Sequence, residues 1–120
     1  MKVFYSDHYT IELPEGHRFP MTKYRMLREQ LIARQIISET ELYDPGLADL
    51  DDIRLAHTER YLQGVLTGGL DRLEIRRIGF PWSQSLVTRS LATVNGCLKA
   101  TEAALADGVG GNLAGGTHHA

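Results

Sequence analysis

Apolar residues in this chain gather in short blocks, divided by prolines, glycines and acidic turns. The first block, KVFYS at residues 2–6, is brief and holds two aromatics, a pattern that predicts a β-strand. Residues 7–20, DHYTIELPEGHRFP, contain Pro14, Gly16 and Pro20 and are too broken for a helix. A connection of that length inside a compact domain is often functional. Residues 21–38, MTKYRMLREQLIARQIIS, read as a helix, with Tyr24, Leu27, Leu31 and Gln35 in one row and Ile32 and Ile36 widening it.

ELYDPG at 41–46 has strand character before a Pro-Gly turn. Residues 49–69 read as two short helices. The first starts near Asp49, where acidic residues suit the helix dipole, and the second opens at Thr58 and stops at Gly68-Gly69. LDRLEIRRIG at 70–79 adds a further helical turn or two. The longest helix is expected from the Ser83 N-cap to a glycine cap at Gly108. Val87, Leu91, Val94, Leu98, Thr101 and Leu105 recur every three to four residues along it, predicting one buried face. Gly96 lies in its interior, where glycine is unfavourable, so a close packing contact is expected there. Residues 111–114 then form a strand in one parallel sheet with residues 2–6, and helix 84–107 packs across it. Strands alternating with helices predict an α/β layered fold. Three short strands suit the front of a larger sheet.

With 120 residues, the chain has the size of one modest domain. Thirteen basic and fifteen acidic residues give a net charge of −2. That balance lacks the basic excess of a dedicated nucleic-acid binder, so no direct nucleic-acid partner is expected. Cys97 is the sole cysteine, which excludes an intrachain disulfide and a CxxC motif and fits a reducing, cytoplasmic setting. No apolar run approaches the ~20 residues of a membrane span, so no membrane partner is expected. The N-terminus turns polar too soon for a secretory signal.

The closing GGNLAGGTHHA, residues 110–120, pairs glycines with two adjacent histidines. A dinucleotide fingerprint fails because Leu113 stands where the third glycine belongs and the glycines follow a helix. A P-loop fails because Thr117 replaces the lysine. A glycine-rich tail with incidental histidines is the plain alternative. Against it, Leu113 and Ala114 come directly after a capped helix, as in a buried strand, and the glycines follow that strand, where α/β folds place their sites. In a regular strand His118 and His119 would point to opposite faces. Gly115-Gly116 permits the backbone to turn so that both serve one pocket. Two close imidazoles resist double protonation, so one stays neutral as a base near pH 7 while the other tunes it.

NLAGGTHHA resembles the Gly-Gly-x-His-His segment of the histone deacetylase and acetoin-utilisation superfamily. GHRFPMTKYRMLREQL, with His17 and Lys23, is similar to that family's first loop and helix start. LAHTERYLQGVLTGG, with His57 and Tyr61, resembles its Val-His-x-x-x-Tyr-Leu segment. The resemblance spans essentially the whole chain and is nearest the class IV-like bacterial branch. It implies the N-terminal part, residues 1–120, of a single three-layer arginase/deacetylase-like α/β domain with a parallel sheet.

It further implies a zinc-dependent amidohydrolase that removes acetyl groups, typically from lysine in a peptide or protein. By residue match, His119 is the general base toward a metal-activated water and His118 its tuning partner. Gly115, Gly116 and Thr117 form the pocket wall. Lys23 matches a basic residue near the internal acetate channel, although a solvated lysine at a helix start looks the same. The family's Zn2+ ligands, an Asp-x-His motif and a later Asp, follow the His-His segment, so no metal ligand is expected within this chain. The 120 residues alone are therefore expected to be inactive, with an uncovered sheet edge. Thr117 in place of a large aromatic, and Arg18 in place of a proline, bear on substrate preference.

His17 is read as organising its loop, His57 as capping or packing between two helices, and Cys97 as a core residue. Arg72, Arg76 and Arg77 form a basic cluster that a solvated helix face explains. A small acetylated amine, such as an acetylpolyamine, is an alternative substrate. A non-catalytic α/β binding domain is the alternative from another class.

Overall fold

The computed structural model describes residues 1–115. Strand β1 (Lys2–Phe4) is followed by helix α1 (Lys23–Ala33), a 3-10 turn at Glu39–Glu41, strand β2 (Leu42–Tyr43), helices α2 (Leu50–Arg54), α3 (Glu59–Thr67), α4 (Arg72–Ile78) and α5 (Gln84–Asp107), and strand β3 (Gly110–Asn112). This is a mixed α/β arrangement, mostly helical, with one small sheet. The sheet order is β2-β1-β3 and every pairing is parallel. Val3 pairs with Leu42 and with Gly111, so β1 is central and its Val3 and Phe4 are buried. Past Phe4 the pairing frays into single bonds. Tyr5 N–H donates to the Tyr43 carbonyl at 3.1 Å, and Leu113 N–H donates to the Phe4 carbonyl at 2.9 Å. The first strand is thus shorter than 2–6, because the chain turns at Ser6, whose carbonyl accepts from Tyr9 N–H at 3.0 Å.

Local signals set the helix ends. Asp49, Thr58, Asp71 and Ser83 each accept a backbone N–H from the first turn of α2, α3, α4 and α5 respectively. Asp71 and Glu74 complete a capping box. Gly68 and Gly108 close α3 and α5 in the left-handed region, at φ 77° and 85°. Helix α1 is shorter than its apolar pattern predicts. It ends at Ala33 because Gln35 adopts a left-handed φ of 58°, which stops helical propagation before Ile36 and Ile37. Ile37 then turns into the core while Ile36 stays exposed.

Helix α5 packs across the sheet as its pattern predicts, but on a different face. The buried positions are Val87, Arg89, Ala92, Gly96 and Ala103. Of the predicted row, Val87 is buried, Val94 and Leu98 are more than one-third exposed, and Leu105 is 85% exposed. The reason is the depth of the contact. β3 lies so close to α5 that a Cβ on Gly110 would run into the Ala100 carbonyl oxygen, so only a small-residue stripe fits against the strand. The larger residues Leu86, Val87, Leu91 and Val94 instead meet α3 and the segment after α4 around an apolar cavity that also contains Trp82. Trp82 bridges these elements, its indole N–H donating to the Val65 carbonyl at 2.7 Å. Among the described residues no helix is long and apolar enough to cross a membrane.

Candidate functional site

The C-terminal end of β3 leads directly to the glycine-histidine segment. Asn112 braces this exit. Its Oδ1 accepts from Ala114 N–H at 3.2 Å, and its Nδ2 donates to the Ala114 carbonyl at 3.1 Å and to the Thr93 carbonyl of α5 at 3.2 Å. These bonds fold residues 112–114 into a tight local turn and tie them to the helix. Ala114 is fully buried, and Gly115 emerges on the wall of a cavity of about 360 Å³.

The long loop between β1 and α1 supplies the opposite wall. His17 Nδ1 accepts from Phe19 N–H at 3.2 Å, and its ring stacks on Phe80 with centroids 5.6 Å apart. Phe19 meets the same Phe80 edge-on at 5.0 Å. His17 therefore organises its loop, as its sequence setting suggests. Phe19, Met21, Tyr24 and Phe80 line the cavity together with Arg89 from α5. His57 contributes to this cavity and to the apolar one beside it, and its ring lies 5.3 Å from that of Tyr61.

Lys23 is exposed at the start of α1. Its ammonium sits over the rings of Phe19 and Tyr24, 4.5 and 5.1 Å from their centroids, both cation–π distances. The fold thus brings Gly115 and Lys23 to one region, with Phe19 and Tyr24 between them. Gly116, Thr117, His118 and His119 lie outside the described residues.

Arg89 is the functional candidate that the sequence reading passed over. It is 5% exposed, and its Nη1 donates to the Ser6 carbonyl and, at 3.3 Å, to the Tyr9 carbonyl. Its guanidinium carbon lies 4.5 Å from the Tyr24 ring centroid. Burial pushes the guanidinium below its ordinary value, opposed by Tyr24 and by the charge of Asp7. A usable signal did exist. Arg89 stands one helical turn before Ala92, in register with Gly96 and Ala103, so the small-residue stripe leads straight to it.

A second cluster lies where β1 and β2 end. Arg28 of α1 grips Asp7 with Nε and Nη2, both at 2.9 Å. His8 Nε2 lies 2.9 Å from Asp44 Oδ2, and the Tyr9 hydroxyl donates to the other Asp44 oxygen at 3.4 Å. Burial raises the Asp7 carboxyl, but the hydrogen bonds and charge of Arg28 outweigh it and hold the group below its ordinary value. The cluster locks the loop against α1. Cys97, expected in the core, is exposed on α5, with its sulfur 3.2 Å from Asn112 Nδ2. Among the described residues, no three His, Cys, Asp or Glu side chains converge as a metal-ligand set.

No family model matches the chain. An uncharacterized protein of Picosynechococcus sp. (strain ATCC 27264 / PCC 7002 / PR-6) is 40% identical over 118 residues, an alignment that takes in 98% of this chain and 39% of that protein. The chain accordingly spans about two fifths of the length of this curated relative.

Proposed function

We propose that this chain is the N-terminal part of a zinc-dependent deacetylase of arginase-like fold, acting on acetyl groups carried by amines, with acetyl-lysine as the substrate class. The observation that carries the reading is the exit of β3. A strand of a parallel sheet ends in a braced turn, and the next residue, Gly115, lines a cavity walled by the long first loop. The Gly-Gly-Thr-His-His segment therefore starts at the carboxyl end of a parallel strand, where α/β sheets carry their sites.

In this reading His119 accepts the proton of the attacking water and returns it to the leaving amine. His118 beside it disfavours double protonation and keeps one imidazole neutral near pH 7. Gly115, Gly116 and Thr117 form the wall that admits the acyl group. Zinc, when bound, would polarise the amide carbonyl and acidify the water. The described residues do not supply a ligand set for it, so the reading assigns the metal to residues other than these. Cytoplasmic residence belongs to the same reading.

The test is His119→Ala in the full-length protein, assayed on an acetyl-lysine peptide with zinc measured by elemental analysis. Deacetylation should fall by at least about a hundredfold, the scale of general-base catalysis, with zinc content unchanged. Near-normal turnover would remove His119 from the role of base.

A further inference from the structure

Arg72, Arg76 and Arg77 stand exposed on α4, and the proposed reaction makes no use of them. None forms an ion pair among the described residues. The nearby carboxylates are already engaged. Glu74 meets Arg60 at 2.5 Å and accepts from Asp71 N–H at 3.1 Å, while Asp71 accepts from Glu74 N–H at 2.8 Å. The Arg60 bond is also the main cause that holds the Glu74 carboxyl below its ordinary value, with the charge of Arg77 the last.

Helix chemistry does not favour Arg72. It is the first residue of α4, where the macrodipole repels a cation, and Arg76 repels it from one turn along the same face. The two arginines line a shallow depression together with Leu70, Leu73 and Ile75. Leu73 is 56% exposed. Two guanidinium side chains and three aliphatic ones thus share one surface depression. We propose that this face docks an acidic amphipathic helix of a partner protein, with carboxylates on Arg72 and Arg76 and an aliphatic side chain against the apolar floor.

The spacing selects the partner. Arg72 and Arg76 are four residues apart, so their complement is a pair of Glu at i and i+4, and a Leu at i+3 falls on the same face. The guanidinium fork suits carboxylates. Nucleic acid fits less well. No aromatic ring lines the depression for a base to stack on, and a chain of net charge −2 repels a polyanion. A lipid surface fits less well too, because Leu73 is the one large exposed apolar side chain of α4, too little area to anchor a helix in an interface. The proposal rests on these residues alone and is independent of the deacetylase reading.

The experiment is fluorescence anisotropy of the full-length protein with a labelled helical peptide of about 15 residues, carrying Glu at i and i+4 and Leu at i+3. Saturable binding is expected, weakening as salt rises from about 0.05 to 0.5 M. The double variant Arg72→Glu/Arg76→Glu should bind at least about tenfold more weakly. A matched peptide with Lys in place of Glu should bind that variant and not the parent, which separates lost charge complementarity from lost fold. Leu73→Ser, which leaves every charge in place, should weaken binding roughly fivefold. Absence of saturable binding by the parent protein, or unchanged affinity in the charge-reversed variant, would overturn the proposal. So would tighter binding of a single-stranded oligonucleotide or a phosphatidylserine vesicle through the same arginines.

Discussion

Gly96 of α5 faces the side chain of Asn112, and a Cβ at position 96 would sit 2.8 Å from Asn112 Oδ1 and 3.0 Å from Nδ2. Asn112 cannot simply swing away, because its amide holds Thr93 and both backbone groups of Ala114. Gly96→Ala should therefore destabilise the chain by about 1–2 kcal/mol, overpacking outweighing a helix-propensity gain of up to about 1 kcal/mol. Urea unfolding measures this. A more stable variant would mean that Asn112 is not held in place. Gly110→Ala, which drives a Cβ into the backbone carbonyl of Ala100 rather than into a side chain, should cost more.

The Asp7–Arg28 pair should make stability fall in acid. The folded-state carboxyl lies below its ordinary value of 3.8. Its contribution is therefore complete above that value and is lost as pH drops through the folded-state value. Arg28→Met removes the opposing influence and leaves Asp7, whose side chain is 7% exposed, buried without its cation. The sign then reverses, since burial alone raises the carboxyl: ionised Asp7 should penalise the fold at pH 7, and that penalty should be relieved as pH falls through the raised value. At pH 7 the substitution should cost roughly 2 kcal/mol. Unfolding curves from pH 3 to 7 for both proteins check this, and parallel pH profiles would contradict it.

Ser83 starts the longest helix through a single hydroxyl, whose oxygen accepts from Leu86 N–H at 3.1 Å. Ser83→Ala should lose about 1 kcal/mol, and Ser83→Asp should retain most of the cap. Thermal melts of the two variants distinguish capping from general sensitivity at that position.

Trp82 is the sole tryptophan and spans α3 and the start of α5 through its bond to the Val65 carbonyl. Trp82→Phe keeps most of the ring and removes the donor, so it should destabilise by about 1 kcal/mol. In the parent chain, tryptophan fluorescence should report the separation of these helices. An emission change that precedes the loss of helical circular dichroism would show that this contact opens on its own.

Much of the helical framework was legible in the sequence because its signals are local. Thr58 and Ser83 start helices through contacts only three residues long, and Gly68 and Gly108 end them through their own φ angles. Parallel pairing of residues near 2–6 with those near 111–114 was legible too, since strands alternating with helices favour a parallel sheet. Tertiary structure decided which face of α5 meets the sheet. Its periodicity offers two faces, one of large and one of small residues. The large face has the greater apolar area, but the close approach of Gly110 to Ala100 admits only the small one.

The same choice turned Arg89 inward, beside Ser6 and Tyr9, partners eighty or more residues away. Gly115 could be placed just past a strand from the sequence. Its cavity could not, because the walls come from the first loop, the segment after α4 and the middle of α5. Caps and turns depend on neighbours along the chain, and so a sequence alone determines them. A cavity depends on which distant surfaces pack, and that is decided only when the backbones have met.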